Sequence, residues 1–376
     1  MLSTKGRVAR LYPTEEQERI IKVCFDNVRF LYNYFLAERI RSYKEDGVSL
    51  NYAKTTKMLT ALKRDKDHLW LNESDSMAEQ EVLRNLDSAF QNFFAHRARF
   101  PRFHSKRSRQ SYRTRNQVSK NGTHSIEVDG DKVKLPKVGW VRLSGLQPIN
   151  GLIKHATVSK DTDGKYYISL CVKEEFEAKS NGGGKKGIDV GLKVFFTDSD
   201  GNTVVNPRTY VTREKKLSRE QRKLHKKVKG SHNRSKQRKR LAAAYKKVAN
   251  SRKDFLHKLT HELAIENQVV CVEKLNIRGM LRNRRLAKHI SDAAWSEFFR
   301  QLSYKLFEHG GVLVKVPTFF PSSQTCHECG YKNQKVKDLS VREWVCPECG
   351  YHRDRDTNAA KNILRKGLEQ LAELES

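Results

Sequence analysis

Negative charge is what this sequence has least of relative to its opposite: 43 Asp and Glu stand against 74 Lys and Arg in 376 residues, a formal charge of +31. An imbalance of that size points to a polyanionic partner, nucleic acid first, because each phosphate neutralised by a cation releases condensed counterions. A basic, solvated surface with no specific ligand is the plainer alternative. Long apolar runs are missing too. No stretch approaches the roughly 18 apolar residues of a membrane span, and Met1 to Pro13 alternates basic and apolar residues without a continuous apolar core. The expectation is a soluble, cytoplasmic protein associated with the nucleoid. Cysteine is scarce. Of seven, four form two Cys-x-x-Cys pairs near the C-terminus, while Cys24, Cys171 and Cys271 stand singly in apolar stretches. This excludes a disulfide framework and suggests one metal site plus three buried thiols. No internal repeat is evident, and the length suits two or three domains with real cores.

What is present begins with helical periodicity. From Thr14 to about Lys44, Ile21, Phe25, Val28, Tyr32 and Phe35 recur on one face, Thr14 and Gln17 have the capping-box spacing, and Asp46-Gly47 ends the run. A second helix over 78–94 carries Val82, Leu86, Ala89, Phe90 and Phe93, so residues 11 to about 100 form a helical domain. Residues 97–120 hold nine basic residues and no acid, interleaved with Phe100, Phe103 and Tyr112, a pattern suited to a nucleic-acid backbone with stackable bases or to a charged connector. The period then switches to two. Asp129-Gly130 and Asp163-Gly164 mark hairpins between alternating apolar residues up to Val172, predicting a small β-barrel or sheet. Asn181-Gly182-Gly183-Gly184 reads as a linker. Residues 213–258 contain nineteen Lys or Arg against three acids, in a helical pattern broken near Gly230. Such helices lack internal charge pairs and want a polyanion.

Three carboxylates stand out by context. Asp189 lies inside the apolar strand Gly187-Ile188-Asp189-Val190-Gly191-Leu192. Glu273 ends the apolar strand Val269-Val270-Cys271-Val272-Glu273, and Asp354-Arg355-Asp356 precedes a C-terminal helix over 359–374. A carboxylate within an apolar strand is costly unless it is paired or binds a cation. The order strand, strand, helix start matches an RNase H or RuvC nuclease layout, in which converging acids hold two divalent cations for in-line displacement at phosphorus. Hard oxygen ligands favour Mg2+ or Mn2+. Cys326, Cys329, Cys346 and Cys349, with sixteen residues between the pairs, have the spacing of a four-cysteine zinc ribbon. Four thiolates leave no open position for water, so this Zn2+ is structural. His327 and His352 flank the knuckles but are not needed as ligands.

Taken together, several motifs resemble the TnpB family, RNA-guided nucleases of insertion sequences related to compact type V CRISPR effectors. They are Leu86-Asp87-Ser88-Ala89-Phe90, Phe100-Pro101-Arg102-Phe103, the strand around Asp189, Val272-Glu273-Lys274-Leu275-Asn276, Pro321-Ser322-Ser323-Gln324-Thr325-Cys326, the second cysteine pair, and Asp354-Arg355-Asp356 with Asn358-Ala359-Ala360. The resemblance implies an α+β multidomain fold. A wedge β-barrel (first strand 1–10, remainder 110–180) carries an inserted helical recognition domain (11–109). A RuvC α/β nuclease domain (181–320) follows, with the zinc ribbon inserted as a target-nucleic-acid-binding element (321–352) before the last catalytic motif and helix (353–376). It also implies a guide RNA from the transposon end, target double-stranded DNA and RNA–DNA heteroduplex as partners, in a monomeric ribonucleoprotein. On the resemblance, Asp356 rather than Asp354 completes the triad with Asp189 and Glu273. Tyr52, Ser76, Gln80 and Thr114, with Arg113, Arg115 and Asn116, are candidates for contact with nucleic acid at the adjacent motif. Three other readings stay open: a nuclease-inactive RNA-guided repressor, a zinc-ribbon accessory DNA-binding protein of the transposon, and a CRISPR effector with a separate guide array.

Overall fold

The capping box expected at Thr14 is formed: its hydroxyl accepts from the Gln17 amide, and the Gln17 side chain accepts from the Thr14 amide. Helix α1 (Glu15–Asp46) runs from there to Gly47, which closes it in the left-handed conformation at φ 66°. The computed structural model describes residues 2–338 and 340–375. Met1 and Ser376, the ends of the first and last expected segments, and Leu339 in the expected ribbon lie outside the described residues. The chain divides into two units, between Phe176 and Glu177.

In the first unit, β1 (Leu2–Tyr12) precedes α1. After α1 come α2 (Tyr52–Leu62), a 3-10 turn over Lys66–Glu73, and α3 (Ser76–Phe94), whose start is capped by the Asp75 carboxylate. Six strands follow: β2 (Gln110–Arg115), β3 (Glu127–Asp129), β4 (Lys132–Leu135), β5 (Gly139–Ser144), β6 (Gly151–Lys160) and β7 (Tyr166–Glu175). They form one antiparallel sheet in the order β2-β6-β7-β1-β5-β4-β3, curled into a half-barrel. The first strand thus sits inside the sheet. It pairs with β7 from Leu2 opposite Glu175 to Leu11 opposite Tyr166, and with β5 on its other side. Period-two burial of Ile168, Leu170 and Val172 faces a core shared with Ile21, Phe25, Leu31 and Leu86 of the helices. Phe25 and Tyr112 meet there with ring centroids 5.8 Å apart.

The second unit contains β8 (Gly184–Val190), β9 (Val194–Asp198), β10 (Thr203–Val205), α4 (Thr209–His225), α5 (His232–Glu266) and β11 (Asn267–Glu273). The short α6 (Ile277–Met280) and α7 (Ala287–Ala293) lead to α8 (Trp295–Glu308) and β12 (Val312–Val316). The hairpin β13 (Glu343–Val345) and β14 (His352–Asp354) and the terminal α9 (Arg355–Glu375) complete it. The sheet order is β10-β9-β8-β11-β12, with β8, β11 and β12 parallel and β9 running antiparallel between β8 and β10, the RNase H-like arrangement. Alternation along β11 places Val270 and Val272 against α5 and α8, and Val269 and Cys271 against α9. Helix α9 lies very close to the sheet. A Cβ on Gly187 would meet the Ala360 carbonyl oxygen, and one on Gly367 would meet Cys271 Sγ. The basic stretch folds as a helical hairpin of α4 and α5 turning at Gly230 (φ 89°), pinned where Arg234 donates to the Leu224 and Lys227 carbonyls.

Two expectations need correction. The run Asn181 to Gly184 is not a free linker: the Gly182 amide donates to the Ile265 carbonyl, and Gly184 begins β8 against Asn267. Glycine is required there because a Cβ on either Gly182 or Gly184 would strike the Glu266 carbonyl. Of the three single thiols, Cys24 and Cys271 are fully buried, which pushes each up to about 11, whereas Cys171 is only half-buried because it points to the other face of β7. No helix among the described residues is long and apolar enough to cross a membrane.

Candidate catalytic and metal sites

Neighbouring parallel strands bring the first two acids together. Asp189 lies near the C-terminal end of β8 and Glu273 at the C-terminal end of β11, with Val272 in register with Ile188. Asp356 stands in the first turn of α9, and its neighbour Asp354 has a different task. Asp354 is exposed and accepts the Thr357 amide at 2.7 Å, capping the helix, which therefore starts at Arg355. The charge of Asp356 bears on Asp189. Burial, then the Glu273 and Asp356 carboxylates, push Asp189 well above the usual carboxylate range, and Arg355 and Arg342 partly offset this. Burial also raises Glu273, opposed by the Ser322 hydroxyl, which donates to Glu273 Oε1 at 2.5 Å. Arg342 pairs with Asp356 at 3.2 Å. Asp189, raised by the carboxylates of Glu273 and Asp356, belongs to a donor set that a hard divalent cation would fit: its charge would relieve that repulsion and its oxygen preference matches.

Sequence spacing overlooked Ser322 and Arg342. Both come from the segment between β12 and α9, and this segment is tied to α9 by side-chain amides. Asn358 donates to the Thr325 carbonyl at 2.8 Å and accepts the His327 amide at 3.0 Å, and Asn362 donates to the Ser322 and Thr325 carbonyls at 2.9 and 2.6 Å. The signals available were the motif Pro321-Ser322-Ser323-Gln324-Thr325-Cys326, which contains Ser322, and the polar pair Asn358 and Asn362, four residues apart on the helix.

The four cysteines converge. Their ligand atoms all lie within 4.8 Å of one another, and among the described residues no other cluster of His, Cys, Asp or Glu closes as tightly. Sγ to Sγ separations of 3.7 Å (Cys326 to Cys349), 3.6 Å (Cys329 to Cys346) and 3.2 Å (Cys326 to Cys329) are too long for disulfides. They approach the edge of about 3.8 Å expected for a tetrahedron of Zn–S bonds near 2.3 Å. Gly330 (φ 78°) and Gly350 (φ 67°) let each knuckle turn so that their amides return to the Cys326 and Cys346 carbonyls. Arg353 reaches Cys326 Sγ at 3.0 Å, placing a guanidinium beside the thiolates.

The nucleic-acid candidates separate. On β2, Arg113 and Arg115 point outward, with Arg115 paired to Glu81, while Thr114 is 0% exposed. Thr114 therefore cannot offer its hydroxyl to a base edge; period two sends it into the core beside Asp75. Asn116 is spent internally on the Ile153 carbonyl and the Ile126 amide. Ser76 is exposed and Gln80 half-buried on the first turns of α3, and half-buried Tyr52 lies under the Arg84 guanidinium, 4.3 Å from its ring centroid.

Comparison with known proteins gives a consistent placement. Residues 169–284 match the OrfB_IS605 family profile, "Probable transposase", residues 295–363 match the "Cas12f1-like, TNB domain", and residues 1–47 match a "Helix-turn-helix domain". In this structure the last segment is a strand followed by a single 32-residue helix, not two helices. A "Putative RNA-guided DNA endonuclease" of Streptomyces pristinaespiralis is 37% identical over 96% of this chain and 88% of its own. The "Putative RNA-guided DNA endonuclease InsQ" of Escherichia coli K12 is 31% identical over 96% of this chain and 92% of its own. Among solved structures, a chain of the Cas12f1-sgRNA-target DNA complex shares the fold, with TM-score 0.54 and 14% identity over 96% of this chain and 98% of that one. With relatives this similar along nearly their whole length, the chain belongs to the TnpB family.

Proposed function

We propose that this protein is an RNA-guided DNA endonuclease that cuts double-stranded DNA by phosphodiester hydrolysis at Asp189, Glu273 and Asp356. The observation that supports the reading is that the Glu273 and Asp356 carboxylates both raise Asp189, with Asp189 and Glu273 near the C-terminal ends of adjacent parallel strands, in a chain of charge +31. An acid raised by two others in this way destabilises a protein unless a cation is held there. Bound there, Mg2+ or Mn2+ would activate water and stabilise the departing oxygen. The chain's own residues do the rest. Ser322 fixes the rotation of the Glu273 carboxylate, Arg342 holds Asp356, and Asp354 anchors the helix that carries it. The four cysteines hold Zn2+ as a structural ion. Guide RNA and RNA–DNA heteroduplex are bound through phosphates by α4, α5 and the basic residues of 97–120, and a transposon-adjacent motif is read near Tyr52, Ser76 and Gln80. Base pairing then carries sequence specificity. The working particle is a monomeric ribonucleoprotein in the prokaryotic cytoplasm.

The test is cleavage of a plasmid carrying a guide-matched target beside a randomised flank, by protein co-expressed with its transposon-end RNA, for wild type and Asp189→Ala. Guide- and Mg2+-dependent cutting that disappears in the variant supports the proposal. Guided binding by both proteins with cutting by neither would replace it with the repressor reading.

A further inference from the structure

In the first unit, where α1, α3 and the start of β2 meet, the surface opens into a recess of about 190 Å3. Its floor is apolar and closed: Phe25 and Val28 of α1 and Val82 of α3 are 3%, 8% and 9% exposed. One side is a stack of two rings, Tyr32 of α1 and His104, whose centroids lie 3.9 Å apart with the planes 3° from parallel. Asn33 fixes that stack, since its carboxamide donates to the His104 carbonyl at 2.9 Å and accepts the His104 amide at 2.7 Å. Polar groups surround the opening. Gln110 and Ser111 are half-buried and Asn85 and Arg109 exposed, and among the described residues none of these four side chains has a hydrogen-bond or ion-pair partner. A second guanidinium, Arg29, is already held by Asp26 at 2.7 Å. Arg102, Lys106 and Arg107, in the same segment as Arg109, are exposed and likewise unpaired among the described residues.

The floor alone would be ordinary core; the free groups round it make a site. Apolar and aromatic surface takes the face of a base, carboxamides set a donor beside an acceptor for its edge, and a guanidinium takes phosphate oxygens. The volume equals the share of roughly six water molecules in the liquid, room for one flat ring system and not for a base pair. We propose that the recess is a binding site for one unpaired nucleotide, its base inserted toward Phe25, Val28 and Val82, its edge held by Asn85 and Gln110, and its phosphate on Arg109. A base within a duplex cannot enter, because its neighbours cover its faces and its partner covers its edge. The cations of 97–109 by themselves would hold a backbone in any register; one inserted base fixes the register. That nucleotide comes from the guide RNA or from the target DNA, and the recess offers both the same chemistry.

This proposal rests on the reading of the protein as one that binds guide RNA, and the test separates the two. Guide-loaded protein is treated, first alone and then with target DNA in Ca2+, with reagents that modify unpaired base edges: dimethyl sulfate for adenine and cytosine, a carbodiimide for guanine, uracil and thymine. One nucleotide should be shielded in wild type and reactive in Ser111→Trp, which fills the recess. It should be reactive too in the double variant Asn85→Ala with Gln110→Ala, which removes side chains from the opening and leaves the core intact. The strand that carries it identifies the source. An abasic residue at that position should weaken binding of that strand by wild type about tenfold and leave its binding by Ser111→Trp unchanged. Failure of wild type to bind guide RNA overturns the RNA-guided reading and this proposal with it. Guide RNA and target bound with one modification pattern in wild type and both variants, or equal abasic effects with and without the filled recess, overturn this proposal alone.

Discussion

At the scale of single residues, the acid trio makes a prediction about stability as well as catalysis. Asp189 has a folded-state proton affinity well above its unfolded value. The folded chain therefore binds more protons than the unfolded one between the ordinary carboxylate value and the raised one. Stability of the metal-free protein falls as pH rises through that window. Asp189→Asn removes the charge and should raise the melting temperature of the metal-free protein at neutral pH, while abolishing cutting and leaving guide-RNA binding intact. A variant that melts below wild type in chelator would contradict this. Ser322→Ala tests positioning. Losing the hydroxyl that orients Glu273 should weaken Mn2+ affinity about tenfold by calorimetry and slow cutting in parallel, with Ser322→Thr restoring both. An unchanged Mn2+ isotherm would mean that the contact is incidental.

At the scale of elements, α9 is the part whose packing tolerates least. Gly367 lies in mid-helix, where glycine costs about 1 kcal/mol relative to alanine, and the structure accepts this because the Cys271 side chain occupies the space of a Cβ. Gly367→Ala should therefore destabilise rather than stabilise, by about 1–3 kcal/mol of overpacking, read as a lower melting temperature. The α4–α5 hairpin makes a different prediction. Converting Lys236, Arg238 and Lys239, all exposed on α5, to Gln should flatten the dependence of log affinity for guide RNA on log salt, by about one unit for each phosphate no longer neutralised. Both elements were legible beforehand because their signals are local: caps, period and charge density lie within a few turns. The same holds for the Asp129 and Asp163 hairpins and the cysteine knuckles. What was not legible depends on distant partners. Residues 50–75 lack an apolar period, so α2 and the 3-10 turn gave no sign. The glycine run at 182–184 reads as a linker until the end of α5 is placed against it, and Thr114 reads as an available hydroxyl until β2 is seen to turn it inward. The bond between Ser322 and Glu273 spans 49 residues, and no spacing rule reaches that far.

At the scale of the whole molecule, the zinc ribbon and the carboxylates are one mechanical system, since the segment that holds Cys326 also holds Ser322 and is stapled to α9 by Asn358 and Asn362. Stripping zinc, or Cys326→Ser, should release the metal by elemental analysis, lower the melting temperature and reduce cutting before guide-RNA binding is affected. Retained zinc in Cys326→Ser would count against the four-thiolate site. A second consequence concerns the order of synthesis. Strand β1 lies between β5 and β7, and its longest partner is made more than 150 residues later. While the ribosome works through α1, α2 and α3, this first strand has an unpaired edge on both sides, and the sheet cannot close until Glu175 has emerged. Until then the nascent chain carries an edge open to the wrong neighbour, including a second copy on the same message. Lys5, Arg7 and Arg10 along β1 set like charges against one another wherever two such edges meet, which disfavours that pairing during the wait.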